Sequence, residues 1–218
     1  PIRMIVAVPP AGPADTLSRL VSPGLTAALG QPIVIDNRPG ANGNIAYEMT
    51  ARAVPDGYTI TAVAAGVAIN PHLYRDVRFD PVKDFAAITQ GISVPNILVV
   101  HASVEASSVK DLIALAKAKP GSLNYGSAGN ASANHLATER FNYMAGIKMV
   151  HIPYKGGGPA VVSVVGGETA VLMATIPSSI QHFEAKRLIP LGVSSLKRNA
   201  ALPNIPSIAE AAIPGFEA

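Results

Sequence analysis

The strongest constraint on this chain is a rhythm. Short apolar runs rich in β-branched residues alternate with segments whose apolar residues return every three or four positions. Strands are expected over residues 2–8, 32–36, 58–64, 87–93, 97–101, 124–127, 148–153, 170–175 and 189–194. Helices are expected over 14–29, 41–53, 109–119, 133–145, 158–165, 177–185 and 205–212, with a helical turn at 70–74. In the first helix Leu17, Leu20, Val21, Leu25 and Leu29 share one side, and Pro23 and Gly24 mark a kink. Ser107 and Ser108 cap the helix at 109, and Pro120-Gly121 stop it. Strands alternating with helices of this length predict an α/β fold with mainly parallel sheets. Two similar successions predict two α/β domains, residues 1–99 and 100–213.

In open α/β sheets ligands bind beyond the carboxyl ends of the strands, so the loops after strands are the places to read. The richest is Tyr125-Gly126-Ser127-Ala128-Gly129-Asn130-Ala131-Ser132-Ala133-Asn134-His135. It joins a strand to a helix through small residues. Ser127, Gly129, Asn130 and Ser132 there suit either an ordinary helix cap or an anion site made of backbone N–H groups and hydroxyls. Lys155-Gly156-Gly157-Gly158 offers a second run of N–H groups able to curl around an anion, or a flexible turn beside a solvated lysine. Gly12, Pro13, Asp15 and Thr16 follow the first strand; Asn42, Gly43 and Asn44 follow the second, and Gly66 and Asn70 the third. Arg38 suits a carboxylate clamp, but pairing with Asp36 is the more ordinary role.

Several functions are excluded or lack a signal. No cysteine is present, so disulfides, thiolate metal sites and cysteine nucleophiles are absent. His72, His101, His135, His151 and His182 are dispersed, with no paired metal-binding spacing. His135 reads as a helix residue tied to backbone. No Gly-x-Ser-x-Gly elbow, phosphate-loop lysine or dinucleotide fingerprint occurs. The net charge is only +3 and the basic residues are scattered, which argues against nucleic acid as a partner. Aromatic residues are 5% of the chain, too few for a stacking platform. No apolar run is long enough to span a membrane. The loops thus offer donors without an evident nucleophile, base or metal cluster.

The order of these motifs resembles one family. Residues 9–16, Asn37-Arg38-Pro39-Gly40-Ala41-Asn42-Gly43-Asn44, Pro55-Asp56-Gly57-Tyr58, Asn70-Pro71, residues 80–85, residues 125–135, His151-Ile152-Pro153-Tyr154-Lys155-Gly156-Gly157-Gly158-Pro159-Ala160, and Leu202-Pro203-Asn204-Ile205-Pro206-Ser207 with Glu210 run nearly the length of the chain. They are similar to the Bug-type (Bordetella uptake gene) solute-binding proteins, receptors of the tripartite tricarboxylate transporters. The resemblance implies a periplasmic two-domain venus-flytrap protein, type II-like, with its leader removed. It implies a small carboxylate in a cleft between the domains, no cofactor, no metal and no catalysis. The implied partners are membrane transporter subunits and, as an option, a sensor protein. The implied ligand-binding residues are Gly12, Pro13, Asp15, Thr16, Asn42, Gly43, Asn44, Gly66, Asn70, Ser127, Gly129, Asn130, Ser132, Lys155, Gly156 and Gly157.

Two departures from the family stand out. Its members run some seventy residues further and return to the first domain, and residues 214–218 are where that return would begin. Many members carry an acid after Met173, where this chain has Ala174-Thr175; its absence disfavours an amino acid as ligand. The competing reading is an α/β enzyme acting on a carboxylated or phosphorylated metabolite.

Overall fold

The computed structural model describes residues 1–10 and 12–218, in two units, Pro1–Ser93 and Val94–Ala218. In the first, the opening apolar run forms β1 (Ile2–Val6), with Ile2, Met4, Ile5 and Val6 all buried. A strand buried on both faces belongs at the centre of a sheet. Indeed β1 lies between β2 (Ile33–Asn37) and β3 (Thr59–Ala62), parallel to both. The crossovers are α1 (Pro13–Leu29) and, after a short 3₁₀ turn, α2 (Asn44–Ala51); α3 (Gly66–Leu73) follows β3. Gly30 ends α1 in the left-handed region, φ 65°, and gives its N–H to Thr26 O. Tyr47 of α2 packs edge-on against Phe79, and Phe79 against Phe85, at ring distances of 5.6 and 5.8 Å.

The second unit holds one mixed sheet of β4 (Asn96–His101), β5 (Asn124–Ser127), β6 (Val150–Pro153), β7 (Val171–Thr175) and β8 (Leu188–Val193), in the order β6-β5-β7-β4-β8. Its helices are α4 (Val109–Ala118), α5 (Ala133–Ala145), α6 (Gly157–Val165), α7 (Ile176–Ser179), α8 (Gln181–Glu184) and α9 (Ile208–Ala211). Strands β5, β6 and β7 run parallel, so their carboxyl ends share one edge. Alternation along β4 sends Leu98 and Val100 to one apolar layer, with Tyr125, Phe141, Met173 and Phe216. Ile97 and Val99 go to the other, with Val164, Leu172 and Ala174.

The expected elements shift in instructive ways. Four of the six strand pairings among the described residues are parallel, in keeping with the expected mainly parallel sheets; β4 departs, running antiparallel to both β7 and β8. Those two ladders seat β4 wholly in the second unit, so the division falls at 93/94 and not at 99/100. No strand forms over residues 87–93. Most of that stretch is exposed, and no strand among the described residues pairs with it. The helix expected at 177–185 divides into α7 and α8, and that at 205–212 shortens to α9. Residues 214–218, expected to begin a return to the first domain, are seated in the second unit. There Phe216 is fully buried edge-on against Phe141, at 6.1 Å, and the Ala218 N–H bonds Ser194 O at 3.1 Å.

Phe216 is therefore expected to hold that segment down. Phe216→Ala should cost about 3–5 kcal/mol of stability, the range for emptying an aromatic site in a core. Leu196→Ala, at a half-exposed position, should cost far less. Urea denaturation followed by circular dichroism compares them, and equal losses would contradict this packing.

Candidate functional site

The second unit brings two of the expected loops together. Parallel pairing of β5 with β6 sets Ser127 opposite Pro153, so the loops beyond them leave side by side. Two backbone bonds then tie them: Tyr154 N–H to Ser127 O at 2.9 Å, and Gly156 N–H to Ala128 O at 3.2 Å. Gly129 has φ 124°, and a Cβ there would also stand 3.3 Å from Tyr154 O, so glycine is required.

Around this tie the hydroxyls turn inward. Ser127 is fully buried; its Oγ accepts the Gly129 N–H at 3.1 Å and lies 2.6 Å from His151 Nε2. Ser132 Oγ lies 2.6 Å from Gly129 O and 2.8 Å from Asn134 Oδ1, both acceptors for its one proton. Asn134 Oδ1 also accepts the Ala128 N–H. Both serines thus shape the loop.

Backbone N–H groups beside this turn stay free. Ser132 is the N-cap of α5 without a side-chain cap bond, and the first intrahelical bond is Leu136 N–H to Ser132 O. Among the described residues the N–H groups of Ala133, Asn134 and His135 have no protein acceptor. The same holds for Gly157 and Gly158 at the start of α6. A Cβ built on Gly156, Gly157 or Gly158 meets nothing within 4 Å, so the space beside these donors is open. Asn130 and Lys155 are exposed beside them, and neither has a hydrogen bond or ion pair among the described residues. At the end of β7, Thr175, Ser178 and Ser179 spend their hydroxyls on one another and on backbone carbonyls.

Sequence reading treated the histidines as dispersed, and here it missed a cluster. Tyr125, His151 and His135 stack, with ring centroids 4.9 Å apart for the first pair and 4.0 Å for the second. His135 Nδ1 accepts the Ala131 N–H at 3.1 Å, and Tyr125 donates its hydroxyl to Glu139 Oε1 at 2.5 Å. Burial holds both histidines below the ordinary imidazole range. The neighbouring ring of His135 lowers His151 further, and Glu139 pulls both the other way. Burial first, then the bond to Glu139, pushes the Tyr125 phenol up. The signal was available in the register that sets Tyr125 against His151, but only once β5 and β6 are known to pair.

In the first unit the expected residues fall into two networks. Gly12 caps α1, and a Cβ there would meet Val8 Cγ2 at 2.9 Å; Pro13 occupies the first turn, and Ala11 lies outside the described residues. Asp15, expected to meet the ligand, is buried. Its carboxylate takes Arg19 Nε at 2.9 Å and Asn37 Nδ2 at 2.9 Å, while Asn37 also reaches Val8 O. A carboxylate so engaged ties β1's loop to β2. Thr16 is exposed beside an open depression of about 580 Å³ lined by Pro10, Asp15, Thr16, Arg19 and Leu20.

The other network joins Asn42, Asn44 and Asn70. Asn42 Nδ2 gives to Asn70 Oδ1 at 2.8 Å, and Asn70 Nδ2 gives to Asn42 O at 3.0 Å and to Asn44 Oδ1 at 2.6 Å. Gly43 and Gly66 fit only without side chains: a Cβ on either would stand under 3 Å from the Tyr47 ring or Asn42 O. Asn70 is fully buried and organises the loop. Arg38 pairs with Asp36 at 2.8 Å, and Arg3 holds the same carboxylate from β1; the Arg3 bond leads in keeping Asp36 below the usual carboxylate range. Among the described residues no group of three His, Asp or Glu is placed to hold a metal ion.

Residues 17–218 match the model of the tripartite tricarboxylate transporter family receptor. Protein BugT of Bordetella pertussis is 35% identical, over all of this chain and 68% of its own length. The R. palustris protein Rpa4515, solved with adipate, is 37% identical with a TM-score of 0.82, covering all of this chain and 73% of that one. MatC from Rhodopseudomonas palustris, with bound malate, is 25% identical with a TM-score of 0.78, over all of this chain and 74% of that one. The chain spans 64–68% of the length of such curated relatives.

Asn70→Ala is expected to strip donors from Asn42 O and Asn44 Oδ1 and to lower stability by about 1–3 kcal/mol, the cost of buried polar groups left unpaired. Asn130→Ala, exposed and unbonded, should change it by less than about 0.5 kcal/mol. Urea denaturation of the two variants checks the contrast.

Proposed function

The chain belongs to the tripartite tricarboxylate transporter receptor family, and from that premise we propose that it is a periplasmic solute-binding receptor. It captures a small mono- or dicarboxylate and delivers it to a tripartite tricarboxylate-type membrane transporter. The observation that carries this reading is the pair of tied helix starts in the second unit. Free N–H groups of Ala133, Asn134, Gly157 and Gly158 lie at the positive ends of α5 and α6, and the space beside Gly157 and Gly158 is open. Such donors suit a carboxylate. Asn130 and Lys155 add a polar and a cationic contact. In the first unit, Thr16 and the backbone at Gly12, Asn42, Gly43 and Gly66 are the proposed contacts. Adipate and malate, carried by two similar proteins, are both dicarboxylates.

The enzyme alternative has one contact in its favour, Ser127 Oγ with His151 Nε2. A nucleophile must be reachable, and Ser127 is fully buried. Its base needs an orienting acceptor on the other ring nitrogen, and Glu139 bonds Tyr125 and Asn142 instead. A receptor accounts for the inward hydroxyls and free amides together. A transporter is the favoured receiving partner, and no observation favours a sensor.

A thermal-shift screen tests the ligand class. Adipate or malate at a hundredfold excess over its dissociation constant should stabilise the protein by about 2.7 kcal/mol, and the acid should be recovered unchanged. Stabilisation by sugars or amines alone would overturn the reading.

A further inference from the structure

Beyond the amides, the second unit holds a titratable group one hydrogen bond from the ligand loop. His151 on β6 is half-buried, stacked between Tyr125 of β5 and His135 of α5, with Nε2 at 2.6 Å from Ser127 Oγ. The ionisable groups acting on it are His135 and Glu139, both on α5. Two imidazoles with centroids 4.0 Å apart resist carrying two positive charges, so the pair takes one proton before any second.

Hydrogen bonding decides which ring takes it. His135 Nδ1 accepts the Ala131 N–H, so that nitrogen must stay bare or the loop bond is lost. His151 Nε2 faces a hydroxyl oxygen, which accepts an N–H as readily as it donates an O–H. His151 can therefore gain a proton without breaking a bond. Ser127 then turns its own proton to Gly129 O, 3.1 Å away, while still accepting the Gly129 N–H. That closes Ser127 onto Gly129, the residue whose conformation sets the tie between the two loops.

We propose that His151 is a positioning residue that couples carboxylate capture to uptake of one proton. Protonated, it fixes the Ser127–Gly129 turn and adds a positive charge behind the free amides of α5 and α6. The inference rests on the carboxylate reading above. The sign follows from the charges: an anion beside these amides favours the protonated ring, so His151 binds its proton more tightly in the complex than in the free protein. Affinity is then highest at low pH and falls as pH rises through the value His151 has in the complex.

Calorimetry with adipate as the probe tests this, at pH 6 and pH 8 and in buffers of different ionisation enthalpy, with the acid's own titration subtracted. Proton uptake of a sizeable fraction of one per adipate is expected at pH 6 and almost none at pH 8. Binding should weaken between them, by less than the roughly tenfold that a shift of one whole pKa unit would give. His151→Gln keeps a donor for Ser127 but does not titrate, so it should bind adipate with an affinity changing less than about twofold over the same range. The wild-type proton count decides the matter even if that variant fails to fold. Adipate binding with no proton uptake at either pH overturns the coupling and leaves the receptor reading standing. If no carboxylate binds at any pH, the receptor reading itself fails.

Discussion

Two backbone hydrogen bonds, from Tyr154 N–H to Ser127 O and from Gly156 N–H to Ala128 O, hold the candidate site together. They extend the β5–β6 ladder past the last paired residues, so two helices start from one shared piece of backbone. Without them α5 and α6 would present their free N–H groups from independent loops. Glycine at 129 and 156, with φ of 124° and 113°, permits the approach. A single side chain at 129 would press on the Tyr154 carbonyl and strain the turn.

The first unit applies the same logic with side chains. Asn70 does for the loop after β2 what the ladder extension does for the loop after β5: it supplies internal partners so that the chain keeps one shape. Asp15 and Asn37 do this for the loop after β1. In both units the polar side chains nearest the loops are mostly consumed in holding them. Amides fixed in this way lose little freedom when an anion arrives.

Much of this was legible in the residues. β5 and α5 fall on the residues that periodicity assigned, because Ser132 and Gly146 bracket the helix with a cap and a left-handed stop. The Asn42, Asn44 and Gly66 loops were flagged for their composition and prove to share one network. Other features depend on pairing that no local pattern reveals. Nothing local to Asp15 shows that Asn37, on a different strand, bonds its carboxylate. The serine hydroxyls looked available, yet their acceptors arise from the folded turn itself. The histidine stack needs the β5–β6 register. Residues 87–93 carry a strand-like composition and form none, because a strand exists only against a partner.

The central claim is that backbone amides at the starts of α5 and α6 receive the carboxylate. Amide chemical shifts recorded while a dicarboxylate is titrated into the labelled protein test it most directly. The account requires the largest saturable shifts at Ala133, Asn134, His135, Gly157 and Gly158, with the Asn70 network nearly still. Saturable binding that leaves those five amides unmoved would contradict it.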